Sequence, residues 1–83
     1  MYELIIRKSA IKQLSKLPTK EALWLSKKLM NLSTDPRPDG CKKLKGYKNQ
    51  YRIRIGNYRA VYNIEDHILI VEVTKISDRK DVY

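Results

Sequence analysis

The sequence predicts an α+β fold, with two N-terminal helices packed on one face of a small, mainly antiparallel four-stranded sheet. Three observations carry this expectation. Residues 51–62 alternate aromatic or β-branched side chains with arginine on either side of Gly56-Asn57, the pattern of two strands joined by a tight turn. Residues 10–32 repeat apolar side chains at helical spacing, broken once by Pro18. Residues 68–76 add a further strand-like run rich in Ile and Val. A short strand, two helices and then a run of strands fit a layered α+β domain.

With 83 residues the chain is expected to form one domain, residues 1–83, with a small core. Hydrophobic residues make up 42%, enough for a globular fold. The 18 Lys and Arg against 9 Asp and Glu give a net charge of +9. Such a balance points to nucleic acid, an anionic surface or an acidic protein partner, without choosing among them. The single cysteine, Cys41, excludes an internal disulfide and a cysteine metal cluster. No apolar run reaches transmembrane length and no signal-peptide core is visible, so a cytoplasmic protein is expected.

In chain order, Tyr2-Glu3-Leu4-Ile5-Ile6-Arg7 reads as a short strand, partly buried on both faces. Ser9 is the candidate N-cap of a first helix carrying Ala10, Ile11, Leu14 and Leu17, which Pro18 ends. Thr19 can cap a second helix running to about Ser33, with Ala22, Leu25, Leu29 and Leu32 as its stripe and Leu23 and Met30 beside it. Trp24 falls off that stripe, and the residues leave open whether it meets a partner or covers the helix edge. A loop rich in Pro and Gly follows at 35–40, then a lysine-rich segment that Leu44 anchors.

A two-residue loop at Gly56-Asn57 fixes the strand register. Ile55 then faces Tyr58, Arg54 faces Arg59, Ile53 faces Ala60 and Arg52 faces Val61. Tyr51, Ile53, Ile55, Tyr58, Ala60, Tyr62 and Ile64 share the face expected under the helices, while Arg52, Arg54 and Arg59 share the other. A turn near Glu65-Asp66-His67 is expected to return the chain so that Leu69, Val71 and Val73 join the apolar face. Glu72 and Thr74 join the arginine face, where one register sets Glu72 opposite Arg59. Three arginines converging without a carboxylate between them suit a phosphate-bearing ligand better than a plain solvated face. His67 is expected to be an exposed turn residue and Cys41 inert.

These pieces, taken in order, resemble the RelE/ParE toxin superfamily, and more particularly its RelE branch. The resemblance runs through the opening Tyr2–Ile6 strand, Leu14-Ser15-Lys16-Leu17-Pro18, Leu44-Lys45-Gly46, the arginine hairpin and the terminal Asp78-Arg79-Lys80-Asp81-Val82-Tyr83. It implies a small toxin of a toxin–antitoxin pair, held by a cognate antitoxin. RelE-type members cut mRNA in the ribosomal A site, and ParE-type members on the same fold poison DNA gyrase. Carried over by position, the basic strand pair is Arg52 and Arg54, the arginine after the hairpin is Arg59, and the C-terminal pair is Arg79 and Tyr83. The implied reaction is attack of an RNA 2′-hydroxyl on the adjacent phosphate, with no metal and no cofactor. Lys43, Lys45 and Lys48 are expected to add RNA attraction.

Two departures bear on the chemistry. Arginine stands where the enteric type of RelE has lysine, and arginine is a poor general base. The alternatives are Lys43, Lys45, Lys48 or the Tyr83 phenolate, or catalysis by positioning and charge alone. Asp78 stands where many relatives have histidine. The competing expectations are a gyrase inhibitor without nuclease chemistry and a nucleic-acid-binding relative that has lost it.

Overall fold

The computed structural model describes residues 1–78, so Arg79 and Tyr83 lie outside the described residues. The element order is β1 (Glu3–Ile6), α1 (Lys8–Ser15), α2 (Thr19–Met30), a 3₁₀ turn (Asn31–Ser33), β2 (Lys42–Lys43), β3 (Gln50–Ile55), β4 (Tyr58–Glu65) and β5 (Ile70–Asp78). The class is the α+β expected, but the sheet has five strands rather than four, in the order β1-β5-β4-β3-β2. The additional strand is β2, too short to leave an alternation in the sequence. β1 pairs with β5 in parallel and every other pair is antiparallel.

The arginine hairpin pairs in the expected register, with Ile55 opposite Tyr58, Arg54 opposite Arg59, Ile53 opposite Ala60 and Arg52 opposite Val61. Gly56 has φ +59, the left-handed conformation that glycine adopts without a Cβ penalty. Trp24 lies over this turn, and a Cβ on Gly56 would fall 2.8 Å from the Trp24 ring. Trp24 thus covers the hairpin from α2 while remaining 42% exposed.

The β4–β5 connection departs from expectation. The turn occupies four residues, Asp66–Leu69, and Glu65 pairs with Ile70. Leu69 adopts φ 55 and is exposed instead of joining the apolar face. Glu72 therefore stands opposite Asn63, not Arg59, and its carboxylate pairs with Arg7 at 3.1 Å. A bulge between Val61 and Tyr62 inserts Thr74 as an extra residue and reverses the alternation beyond it. Val71 and Val73 face the core before the bulge and Ile76 after it, while Ser77 comes opposite Arg59.

Both helix caps differ from expectation. The N-cap of α1 is Arg7, and Ser9 lies inside the helix, where its hydroxyl donates to the Thr74 carbonyl at 3.0 Å. Pro18, not Thr19, occupies the N-cap position of α2. The core gathers Ala10, Leu14, Leu25, Leu29 and Leu32 against Ile55, Tyr58, Ala60, Tyr62, Ile64, Val71, Val73 and Ile76. Burial of these side chains supplies the main stabilising term, roughly 1.5–3 kcal/mol for each large one. Leu23 and Met30, expected beside the stripe, are exposed.

Two polar ties fasten loops to this core. Fully buried Tyr62 donates its hydroxyl to the Pro36 carbonyl at 2.8 Å, and burial pushes that phenol up from its ordinary range. Arg37 lies over the Tyr51 ring at 5.1 Å and donates two hydrogen bonds to Asp66, which also accepts one from Tyr2 at 2.6 Å. Hydrogen bonds from Arg37, and then from Tyr2, hold the Asp66 carboxyl down at about 2. Nothing in the sequence pattern singled out Arg37 or Asp66.

Two predictions follow from these contacts. Gly56→Ala forces a left-handed alanine and displaces Trp24. It should lower stability by at least about 1–2 kcal/mol in urea unfolding, and an unchanged midpoint would contradict the contact. Because Asp66 titrates lower folded than unfolded, its contribution is present above about pH 4 and is lost as pH falls toward the folded value. Asp66→Asn should therefore be less stable than wild type at neutral pH and converge with it below about pH 2. A gap independent of pH would contradict this linkage.

Candidate nucleic-acid interface on the open sheet face

The face of the sheet away from the helices is set by register. Lys42, Arg52, Val61 and Lys75 stand opposite one another across β2, β3, β4 and β5. Arg54, Arg59 and Ser77 form the adjoining row. Residues directly opposite share a face, so a two-row cationic surface follows from backbone pairing alone. Arg52 and Arg59 are half-buried, whereas Arg54 and Lys42 are exposed.

Gly40, Lys42, Arg52, Arg54 and Arg59 line one concavity of about 230 Å³. Four of these five residues are cationic and none is acidic. Arg54 and Arg59 are paired like charges, an arrangement that works against the sheet. Their guanidinium groups can donate to phosphate oxygens in a bidentate fork and keep their charge throughout the physiological range. The concavity is thus suited to hold a phosphodiester and to stabilise extra negative charge on it.

Of the residues expected at the site, Arg52, Arg54 and Arg59 come together in this concavity. Arg79 and Tyr83 lie outside the described residues. Lys43 stands opposite Tyr51 in β2–β3 pairing, on the other side of the strand from Lys42. Lys45 and Lys48 are exposed in the connection between β2 and β3 and do not line the concavity. Lys42 was missed as a site residue. The available signal was Gly46, at φ +84, within a short connection that folds Lys42 back onto Arg52. A hydrogen bond from Leu44 N to Gln50 O, 2.9 Å, closes that connection.

The tyrosines expected in the core stay away from this face. Tyr58 and Tyr62 are buried, and Tyr51 stacks on Tyr62 with ring centroids 6.0 Å apart. Tyr58 donates its hydroxyl to Glu21, and chiefly this hydrogen bond pushes the phenol up to about 12. It ties the first turn of α2 to the start of β4. Exposed His67 lies in the β4–β5 turn, as expected. Among the described residues no group of His, Cys, Asp and Glu could hold a metal ion, and no helix is long and apolar enough to cross a membrane.

Residues 4–83 match the family described as ParE toxin of type II toxin–antitoxin system, parDE. A RelE1 toxin candidate of Methanocaldococcus jannaschii is 33% identical over 87 residues, covering 99% of this chain and 94% of that protein. The toxin in the intact Escherichia coli RelBE toxin–antitoxin complex is 30% identical, with a TM-score of 0.78 over 94% of this chain and 96% of that one. The archaeal RelE–RelB complex of Pyrococcus horikoshii gives a TM-score of 0.84 at 26% identity, covering 98% of each chain. The chain belongs to the RelE/ParE toxin superfamily of type II toxin–antitoxin systems.

The opposed arginines make a testable trade-off. Arg54→Gln removes one member of the like-charge pair and should raise stability at low salt by a few tenths of a kcal/mol, less as salt screens the pair. Binding of a phosphate-bearing polyanion to this face should weaken with the same change, with a salt dependence lower by about one counterion. A loss of stability would show that Arg54 is held by contacts that outweigh the repulsion.

Proposed function

We propose that this chain is a ribosome-dependent endoribonuclease that cuts mRNA in the A site and so stops translation. The observation that carries the reading is the convergence of Arg52, Arg54 and Arg59, joined by Lys42, on one concavity of the open sheet face. In the proposed reaction the 2′-oxygen of one nucleotide attacks the adjacent phosphorus. Charge builds on the phosphorane oxygens, and the bond to the 5′-oxygen breaks. Arginines fixed on paired strands meet that charge without reorganising, the property that makes preorganised donors effective. The ribosome supplies what a shallow face lacks, an mRNA held with the phosphate and 2′-oxygen in line. The chemistry is proposed to need no metal or cofactor, since the cations are built into the sheet.

Arg79 and Tyr83 keep the roles the resemblance implies, Arg79 beside the phosphate and Tyr83 stacked on a base. Lys43, Lys45 and Lys48 are proposed to add general attraction to RNA from the strand and connection beside the concavity. A ribosomal target places the protein in the cytoplasm. The similar structures in complex with RelB support a cognate antitoxin as partner, in a hetero-oligomer. A gyrase inhibitor of the ParE type is the second reading, favoured by the description of the matching family.

Primer extension on mRNA carried by programmed ribosomes, beside the same mRNA free in solution, tests the proposal. Cuts are expected only in the A-site codon, and Arg59→Ala should slow them by about 10²–10³-fold, or roughly 2.7–4 kcal/mol. An undiminished rate in Arg59→Ala would remove that residue from the chemistry. No cuts on ribosomes, together with inhibition of gyrase supercoiling, would establish the second reading instead.

A further inference from the structure

A chain with arginine at both positions of the basic strand pair lacks a ready proton donor there. Every step of the proposed cleavage can draw on arginine for charge, but the departing 5′-oxygen needs a proton. An alkoxide is a poor leaving group, and guanidinium holds its protons too tightly to be an effective acid. Among the described residues lining the concavity there is no His, Asp, Glu, Cys or Tyr. The remaining proton-bearing side chain is Lys42.

Its placement is a consequence of the fold. Lys42 is held directly opposite Arg52 by the β2–β3 pairing and so projects to the arginine face, unlike its neighbour Lys43. The segment leading into β2 is tied down at several points. Tyr62 binds Pro36, Arg37 is clamped by Asp66 and Tyr51, and Cys41 N donates to the Pro38 carbonyl at 3.1 Å. Lysine is an ammonium under ordinary conditions, the form that donates a proton.

We propose that Lys42 is the general acid of the cleavage, an assignment that rests on the nuclease reading above. As the 2′-oxygen bonds to phosphorus, its own proton passes to solvent. The electron pair of the breaking P–O5′ bond then takes a proton from Lys42 Nζ. The products are a 2′,3′-cyclic phosphate, a 5′-hydroxyl and a neutral lysine amine that water reprotonates.

Single-turnover cleavage on programmed ribosomes by wild type, Lys42→Ala and Lys42→Arg tests this. Two A-site substrates are used, the all-oxygen mRNA and one whose scissile linkage carries a bridging 5′-sulfur, which departs without protonation. On the oxygen substrate both variants should fall about 100-fold or more, the scale of a lost general acid. Arginine should not rescue, although it keeps the charge. On the sulfur substrate both should cleave within a few-fold of wild type. A wild-type rate for Lys42→Arg on oxygen would reduce Lys42 to a phosphate-binding charge and overturn the assignment. An equal defect on oxygen and sulfur would do the same, making it a positioning residue. Absence of cleavage by wild type on both substrates would overturn the nuclease reading itself.

Discussion

The two-residue turn at Gly56-Asn57 is the constraint on which the rest of the molecule depends. It sets the pairing of β3 with β4, and that pairing decides which side chains lie under the helices and which lie in the open. A slip of one residue would exchange the two sets, exposing Ile53, Ile55, Ala60 and Tyr62 and burying Arg52, Arg54 and Arg59. Glycine at φ +59 makes the turn possible, and the Trp24 ring packed over it leaves no room for a Cβ. Helix α2 thereby covers the turn that fixes the cationic face on the other side of the sheet.

The layers divide the work. On the helix side, fully buried Tyr62, Leu25, Leu29, Ile64, Val71 and Val73 supply hydrophobic stabilisation. On the open side the directly opposed Arg54 and Arg59 oppose it. The polar ties at Tyr62–Pro36 and Arg37–Asp66 serve both layers, since they fix the segment that delivers Gly40 and Lys42 to the concavity.

Strong local patterns made much of this legible in the sequence. Alternation in 51–64 and a Gly-Asn loop determined the hairpin register residue by residue, and helical spacing with Pro18 divided α1 from α2. What escaped was decided by non-local pairing. Lys42 and Lys43 carry no alternation, and only contact with Arg52 and Tyr51 makes them a strand. The bulge at Thr74 is a correction between strands, so continuing the alternation past Thr74 left Ile76 out of the core set. The four-residue turn holding Leu69 at φ 55 was hidden because Ile68 and Leu69 look like the start of a strand. Arg37 and Asp66 are 29 positions apart and meet only when both loops reach the same end of the sheet.

In the proposed reaction a concavity of the cationic sheet face, lined by one lysine among arginines, cuts RNA through the RNA's own 2′-oxygen. Analysis of the ends left by ribosome-dependent cleavage tests it most directly. End-labelling and mass spectrometry of the fragments should find a 2′,3′-cyclic phosphate upstream of the cut and a 5′-hydroxyl downstream. A 3′-hydroxyl with a 5′-phosphate would show that water, not the 2′-oxygen, attacked the phosphorus, and would contradict the account.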